Sequence, residues 1–125
     1  IWRIAIRDLL NEDLTDEDLQ AKISFYGERP VSDGISIDND GNVYITDIGN
    51  NAIGHVGKDG LYHILYQSDK YLSWPDAISY GPDGYFYTTA NQLHLSPKLN
   101  AGKDGAKPPF YIIRFKPLAP STVGR

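Results

Sequence analysis

Two aspartates occupy matching positions 43 residues apart: Asp33 in Ser32-Asp33-Gly34-Ile35-Ser36 and Asp76 in Pro75-Asp76-Ala77-Ile78-Ser79. Brought to one place, their carboxylates could offer oxygen ligands to a divalent cation such as calcium, or a counter-charge to an organic amine. Asn91 and Gln92 could donate and accept hydrogen bonds to a polar small-molecule ligand, Trp74 could wall its pocket, and Asp47 is a third acidic candidate. Each has a plainer role open to it. The aspartates could accept backbone N–H groups at a loop-to-strand turn, the amides could satisfy loop backbone, and Trp74 could pack between sheets. His94 lacks a visible catalytic partner, and Asp40, Asp59 and Asp83 read as turn residues.

Much chemistry is excluded. There is no Cys, hence no disulfide and no thiolate metal site. No nucleophile elbow, phosphate loop or histidine metal motif occurs. Twelve Lys and Arg against sixteen Asp and Glu leave a net charge of −4 without a basic run, which argues against nucleic acid as a partner. No apolar run approaches the roughly 18 residues of a membrane helix. The chain opens on Ile1, contains no Met and shows no leader, so the expectation is that the protein extends beyond these residues.

The elements that must position these residues follow from a repeat. Ser32–Thr46 and Pro75–Thr89 align at a constant offset of 43, with Asp, Ile, Ser, Asp, Gly, Tyr and Thr coinciding. A period of about 40–50 residues with four strands per copy is the mark of propeller blades. The first copy predicts strands a to d at 35–38, 43–46, 52–56 and 61–66, and the second at 77–80, 85–89, 92–95 and 110–116. Asp40-Gly41, Asp59-Gly60 and Asp83-Gly84 supply the tight turns. Residues 1–7 read as the closing strand of a preceding blade, and 11–27 as an insertion. Within it Thr15 and Asp18 make a capping-box start for a short helix over 16–24. The fold class predicted for 1–125 is therefore all-β, with one blade at 33–66 and another at 76–116. The strands carry apolar or aromatic residues on both sides (Val43 and Ile45 against Tyr44, Phe86 against Tyr85 and Tyr87), so the remaining blades of the same propeller are the expected partners.

In such a fold the start of strand a, the b–c loop and the d–a connection share one rim. Asp33, Asp47, Asn50, Asn51, Trp74, Asp76, Asn91 and Gln92 then fall together, with the Asp-Gly turns opposite, and loops on a rigid scaffold favour function.

Trp74-Pro75-Asp76-Ala77, Gly81-Pro82-Asp83-Gly84-Tyr85 and Asn91-Gln92-Leu93-His94 resemble the late-blade signature of the major royal jelly/yellow family. Ser32-Asp33-Gly34 with Asp47, Asn51, Ala52 and Ile53 resembles the blade before it, and Trp2-Arg3-Ile4 with Leu14-Thr15 the stretch before that. The resemblance implies a six-bladed propeller of which this is the C-terminal portion, with an extracellular or periplasmic location. In that family some insect members convert dopachrome, some salivary members bind biogenic amines in the central channel, and prokaryotic members are generally without an established activity. Asp33-Gly34 also resembles a metal-ligand context of the regucalcin/gluconolactonase propellers, although Ser32 stands where Pro is commoner. Three readings follow: a propeller binding or isomerising a small aromatic or amine-bearing molecule, a metal-dependent lactonase or related hydrolase, and a non-catalytic extracellular or structural protein.

Overall fold

A computed structural model describes all of residues 1–125. After a short β1 (Trp2–Arg3) come α1 (Ile6–Leu9), α2 (Asp16–Lys22) and β2 (Ser24–Phe25). Two sheets follow. One contains β3 (Ser32–Ile37), β4 (Val43–Asp47), β5 (Ala52–Val56) and β6 (Tyr62–Gln67). The other contains β7 (Pro75–Tyr80), β8 (Phe86–Ala90) and β9 (Tyr111–Phe115). Every pairing is antiparallel and each sheet meanders in chain order.

The repeat reappears in the register. β3 pairs with β4 through a bulge between Ser32 and Ile35, and β7 pairs with β8 through one between Pro75 and Ile78, again 43 residues on. The sheets meet through β3, β4 and β7, while the outer strands diverge around a cleft. Meandering sheets joined at their first strands and splayed outwards are neighbouring blades, and the chain is a piece of a β-propeller. Gly34 permits the approach: a Cβ there would lie 2.8 Å from Ala77 Cα and 2.9 Å from the Asp76 carbonyl oxygen.

Tyr44, Ile53, Leu72, Ile78, Tyr80, Phe86 and Phe115 form the core between the sheets. Tyr44 and Phe86 are fully buried with ring centroids 4.6 Å apart, and Phe86 stacks on Phe115 at 5.7 Å. Each such side chain contributes on the order of 1.5–3 kcal/mol by burial. Val43, Ile45 and Val56 face the other way and pack against Ile1, Tyr26, Ile37 and Tyr62.

Three expectations are corrected. Residues 1–7 do not form one strand. Only Trp2 and Arg3 pair, with Phe25 and Ser24, and the chain then coils into α1, where Leu9 N–H donates to Ala5 O and Leu10 N–H to Ile6 O. With no longer strand beside it, the segment satisfies its backbone locally. Residues 92–95 are not a strand either. Gln92 adopts φ +54°, Leu93 N–H donates to Asn91 Oδ1, and Leu93–Leu95 makes a 3₁₀ turn. The predicted fourth strand therefore pairs directly with β8, and the second blade has three strands here rather than four. Lastly, the outer face of that blade (Ala77, Ser79, Tyr87, Thr89, Ile112 and Arg114) is mostly polar or small, and Tyr87 is tied to Asp83.

The helix prediction is close: α2 starts at the Thr15–Asp18 capping box, with both reciprocal bonds made, and ends at Lys22.

Candidate functional site

The bulged starts of β3 and β7 and the ends of β4 and β8 lie at one rim, shown by the pairs Ser32 with Asp47 and Pro75 with Ala90. The Asp-Gly turns, with Gly41 and Gly84 at φ +90° and +83°, lie at the other ends of these strands.

At the rim the Asp33 backbone is held by Thr46, whose Oγ1 accepts from Asp33 N–H at 3.2 Å and Gly34 N–H at 2.8 Å. The Asp33 side chain takes no local backbone bond. It reaches the next blade, where its Oδ2 accepts from the Trp74 indole Nε1–H at 2.8 Å. Asp76 likewise accepts a side-chain donor, Asn91 Nδ2–H, at 2.8 Å. Neither Oδ1 takes a protein donor, so each carboxylate keeps an acceptor oxygen unused.

Trp74 is the strained member. Its φ is +56°, a region costly for a bulky residue by about 1–2 kcal/mol. Pro75 after it already disfavours right-handed helical backbone, and the surroundings complete the constraint. Trp74 N–H donates to Asn51 Oδ1 at 3.4 Å, and Trp74 O accepts from Asn91 N–H at 3.3 Å. The indole stacks on the His94 imidazole, with centroids 5.7 Å apart and planes 13° from parallel. Of the four non-glycine residues at positive φ, Asn51, Trp74 and Gln92 belong to this rim.

Other candidates have structural positions. Asp47 is fully buried; its Oδ1 accepts from Asn50 N–H, and its Oδ2 from Asn50 Nδ2–H and the Tyr62 hydroxyl, each at 2.8 Å. That corrects its place among ligand contacts, because no oxygen is left to face a channel. Burial, then the Asp47 carboxylate, pushes the Tyr62 hydroxyl well above its ordinary range. Gln92 is also occupied: its Nε2–H donates to Lys107 O and its Oε1 accepts from Lys107 N–H, a two-bond clamp on the 96–109 excursion. Asn91 uses both ends of its amide, on Asp76 and on Leu93 N–H, and so orients Asp76. Asn51 joins the b–c loop to the d–a connection through Asp69 and Trp74.

Sequence reasoning gave His94 no partner; its place against Trp74 depends on the 3₁₀ turn, for which the strand-like spacing gave no signal. It also missed a polar node at the opposite end. Asp38 is buried and accepts from Asp40 N–H, Asn42 N–H, Asn42 Nδ2–H and the Tyr44 hydroxyl. Burial alone would raise its pKa, but the bonds from Asn42, Tyr44 and Asp40 together hold the carboxyl below the usual range. The Tyr44 oxygen also accepts from Leu118 N–H at 2.7 Å, which fastens the C-terminal tail. Asp38-x-Asp40-Gly41-Asn42 could have signalled this, as a short acceptor just before a tight turn.

No group of three or more His, Asp or Glu side chains is placed to hold a metal ion. Asp33 and Asp76 by themselves supply fewer than the six to eight oxygens calcium takes, so a cation at this rim would need further ligands.

No family model matches the chain, and no curated protein does. Among solved structures it is similar to a virginiamycin B lyase from Staphylococcus aureus, at 18% identity and a TM-score of 0.43, over 80% of this chain and 30% of the lyase chain.

Proposed function

We propose that this rim binds a small organic molecule carrying an aromatic ring or an amine, the reading also implied by the resemblance to the royal jelly/yellow family. The observation that carries it is Trp74. Its backbone is held at a strained φ, its indole N–H is committed to Asp33, and its ring is stacked on His94. That arrangement sets an aromatic face beside a carboxylate with a free oxygen. An aromatic face attracts a cation by about 0.5–2 kcal/mol, depending on desolvation. Asp33 and Asp76 add counter-charge, with Asn91 fixing Asp76.

Calorimetric titration with tyramine tests this. Asp33 is exposed, so Asp33→Asn removes a screened charge worth about 0.5–1 kcal/mol, and affinity falls roughly 2–5-fold. Trp74→Ala removes the face and its carboxylate anchor and abolishes saturable binding. Unchanged affinity in both variants, with the fold intact by circular dichroism, would refute the proposal.

A further inference from the structure

We propose that His55 and His63 form an acid-sensitive fastening of the outer strand of the first sheet: while the pair is neutral β6 is held against β5, and once the pair is protonated β6 loosens at its Tyr62 end. The two histidines are register partners across these strands, with ring centroids 5.4 Å apart and planes 36° from parallel. Tyr44, the register partner of His55 on β4, stands on its other side at 6.5 Å. The row runs from the core at Tyr44 to the exposed His63 at the sheet edge, with the half-buried His55 between them.

The two rings differ in what can balance a charge. His63 Nε2 lies 3.1 Å from Asp59 Oδ2, so an imidazolium there has a counter-ion. His55 has none in contact, and its Nδ1 is sealed from solvent without a hydrogen bond. The carboxylates nearest to it are engaged elsewhere, Asp59 by Leu61 N–H and His63, and Asp38 by Asp40, Asn42 and Tyr44. Lys58 extends towards Gly41, and the Ile1 ammonium, bonded to Gly27 O, lies with Val56 on the opposite face of β5. Burial, then the neighbouring His63, pushes His55 below its ordinary range, against the weaker opposing pull of Asp59 and Asp38. The unfolded chain takes up this proton near pH 6.5, roughly the ordinary imidazole value, and the folded chain only at lower pH. The stabilising contribution is therefore whole above about pH 6.5 and is lost progressively as pH falls towards the folded value. Like charges directly opposite across two strands are destabilising, so the loss falls on the β5–β6 pairing. β6 is the element most readily released: it has no strand on its far side, and four of its six residues are exposed.

Amide exchange of the 125-residue chain, followed residue by residue and corrected for the intrinsic rate at each pH, tests this. Between about pH 8 and about pH 5, which brackets the ordinary imidazole range, protection of the β6 amides paired to β5 should fall at least about threefold, while β8 and β9 keep theirs. His55→Phe keeps a ring against Tyr44 and cannot take a proton, so in that variant the fall should vanish. His63→Gln removes the neighbouring charge and should leave a smaller fall than that of the wild type. The proposal is overturned if wild-type β6 protection is flat over this range, if His55→Phe loses it as fully as the wild type, or if β8 and β9 lose protection to the same extent. Should His55→Phe fail to fold, His63→Gln decides alone, and a fall as large as that of the wild type overturns the proposal.

Discussion

Replacing Tyr44 by Phe removes one oxygen that serves two distant parts of the chain. The ring is fully buried between the sheets and Phe fills its volume, so the packing term stays nearly constant. What goes is the bond to Asp38 Oδ2 at 2.8 Å and the acceptor for Leu118 N–H at 2.7 Å. A bond to an ionised group is worth about 1.5–3 kcal/mol, and the half-open Leu118 amide adds on the order of 1 kcal/mol. The expected loss is about 2–4 kcal/mol, a shift of roughly 1–2 M in the urea midpoint at ordinary m-values. The pH dependence separates the two parts. Asp38 is held below the usual carboxylate range in the folded state. Its contribution is therefore present above its unfolded pKa of about 3.9 and is lost as pH falls through the lower folded value. Tyr44→Phe weakens that depression, so the gap between variant and wild type narrows across the same window and leaves only the Leu118 part. Urea denaturation at neutral pH and at steps down through that window measures it. A gap below about 0.5 kcal/mol at neutral pH, or one that stays whole in acid, would refute the reasoning.

Gly34→Ala places a methyl against the Asp76–Ala77 backbone, and should cost about 1–3 kcal/mol by overpacking; because it forces β3 from β7 at the rim, tyramine affinity measured by calorimetry should fall with it. Asp47→Asn keeps the shape but loses acceptors for Asn50 and Tyr62, so thermal unfolding should show a loss of about 2–3 kcal/mol while tyramine binding stays unchanged. Phe86→Ala empties the centre of the core between the sheets, and should cost about 3–5 kcal/mol in the same unfolding assay. Thr15→Ala breaks the capping box of α2, at about 1 kcal/mol, visible as faster amide exchange within that helix and little change elsewhere.

The blade repeat, its turns and the capped helix were legible in the sequence because each is written in neighbouring residues. Alternating apolar side chains, an Asp-Gly at the hairpin and a Thr-x-x-Asp before a helix act over one turn or one strand, where local sterics and hydrogen bonds decide. The offset of 43 also put Asp33, Trp74, Asp76 and Asn91 at one rim, because strand direction alone carries them there. Tertiary structure decided what those residues touch. Asp33 finds Trp74 across 41 residues, and Tyr44 finds Leu118 across 74. Asp47 is sealed by Tyr62, although its sequence setting looks as open as that of Asp33. Whether residues 92–95 make a strand was likewise settled beyond local pattern. A left-handed Gln92 clamped to Lys107 turns the chain away, and β9 takes the third position in the sheet. Periodicity records which face a residue presents; which partner meets that face depends on long-range packing, and only the folded chain brings the partners together.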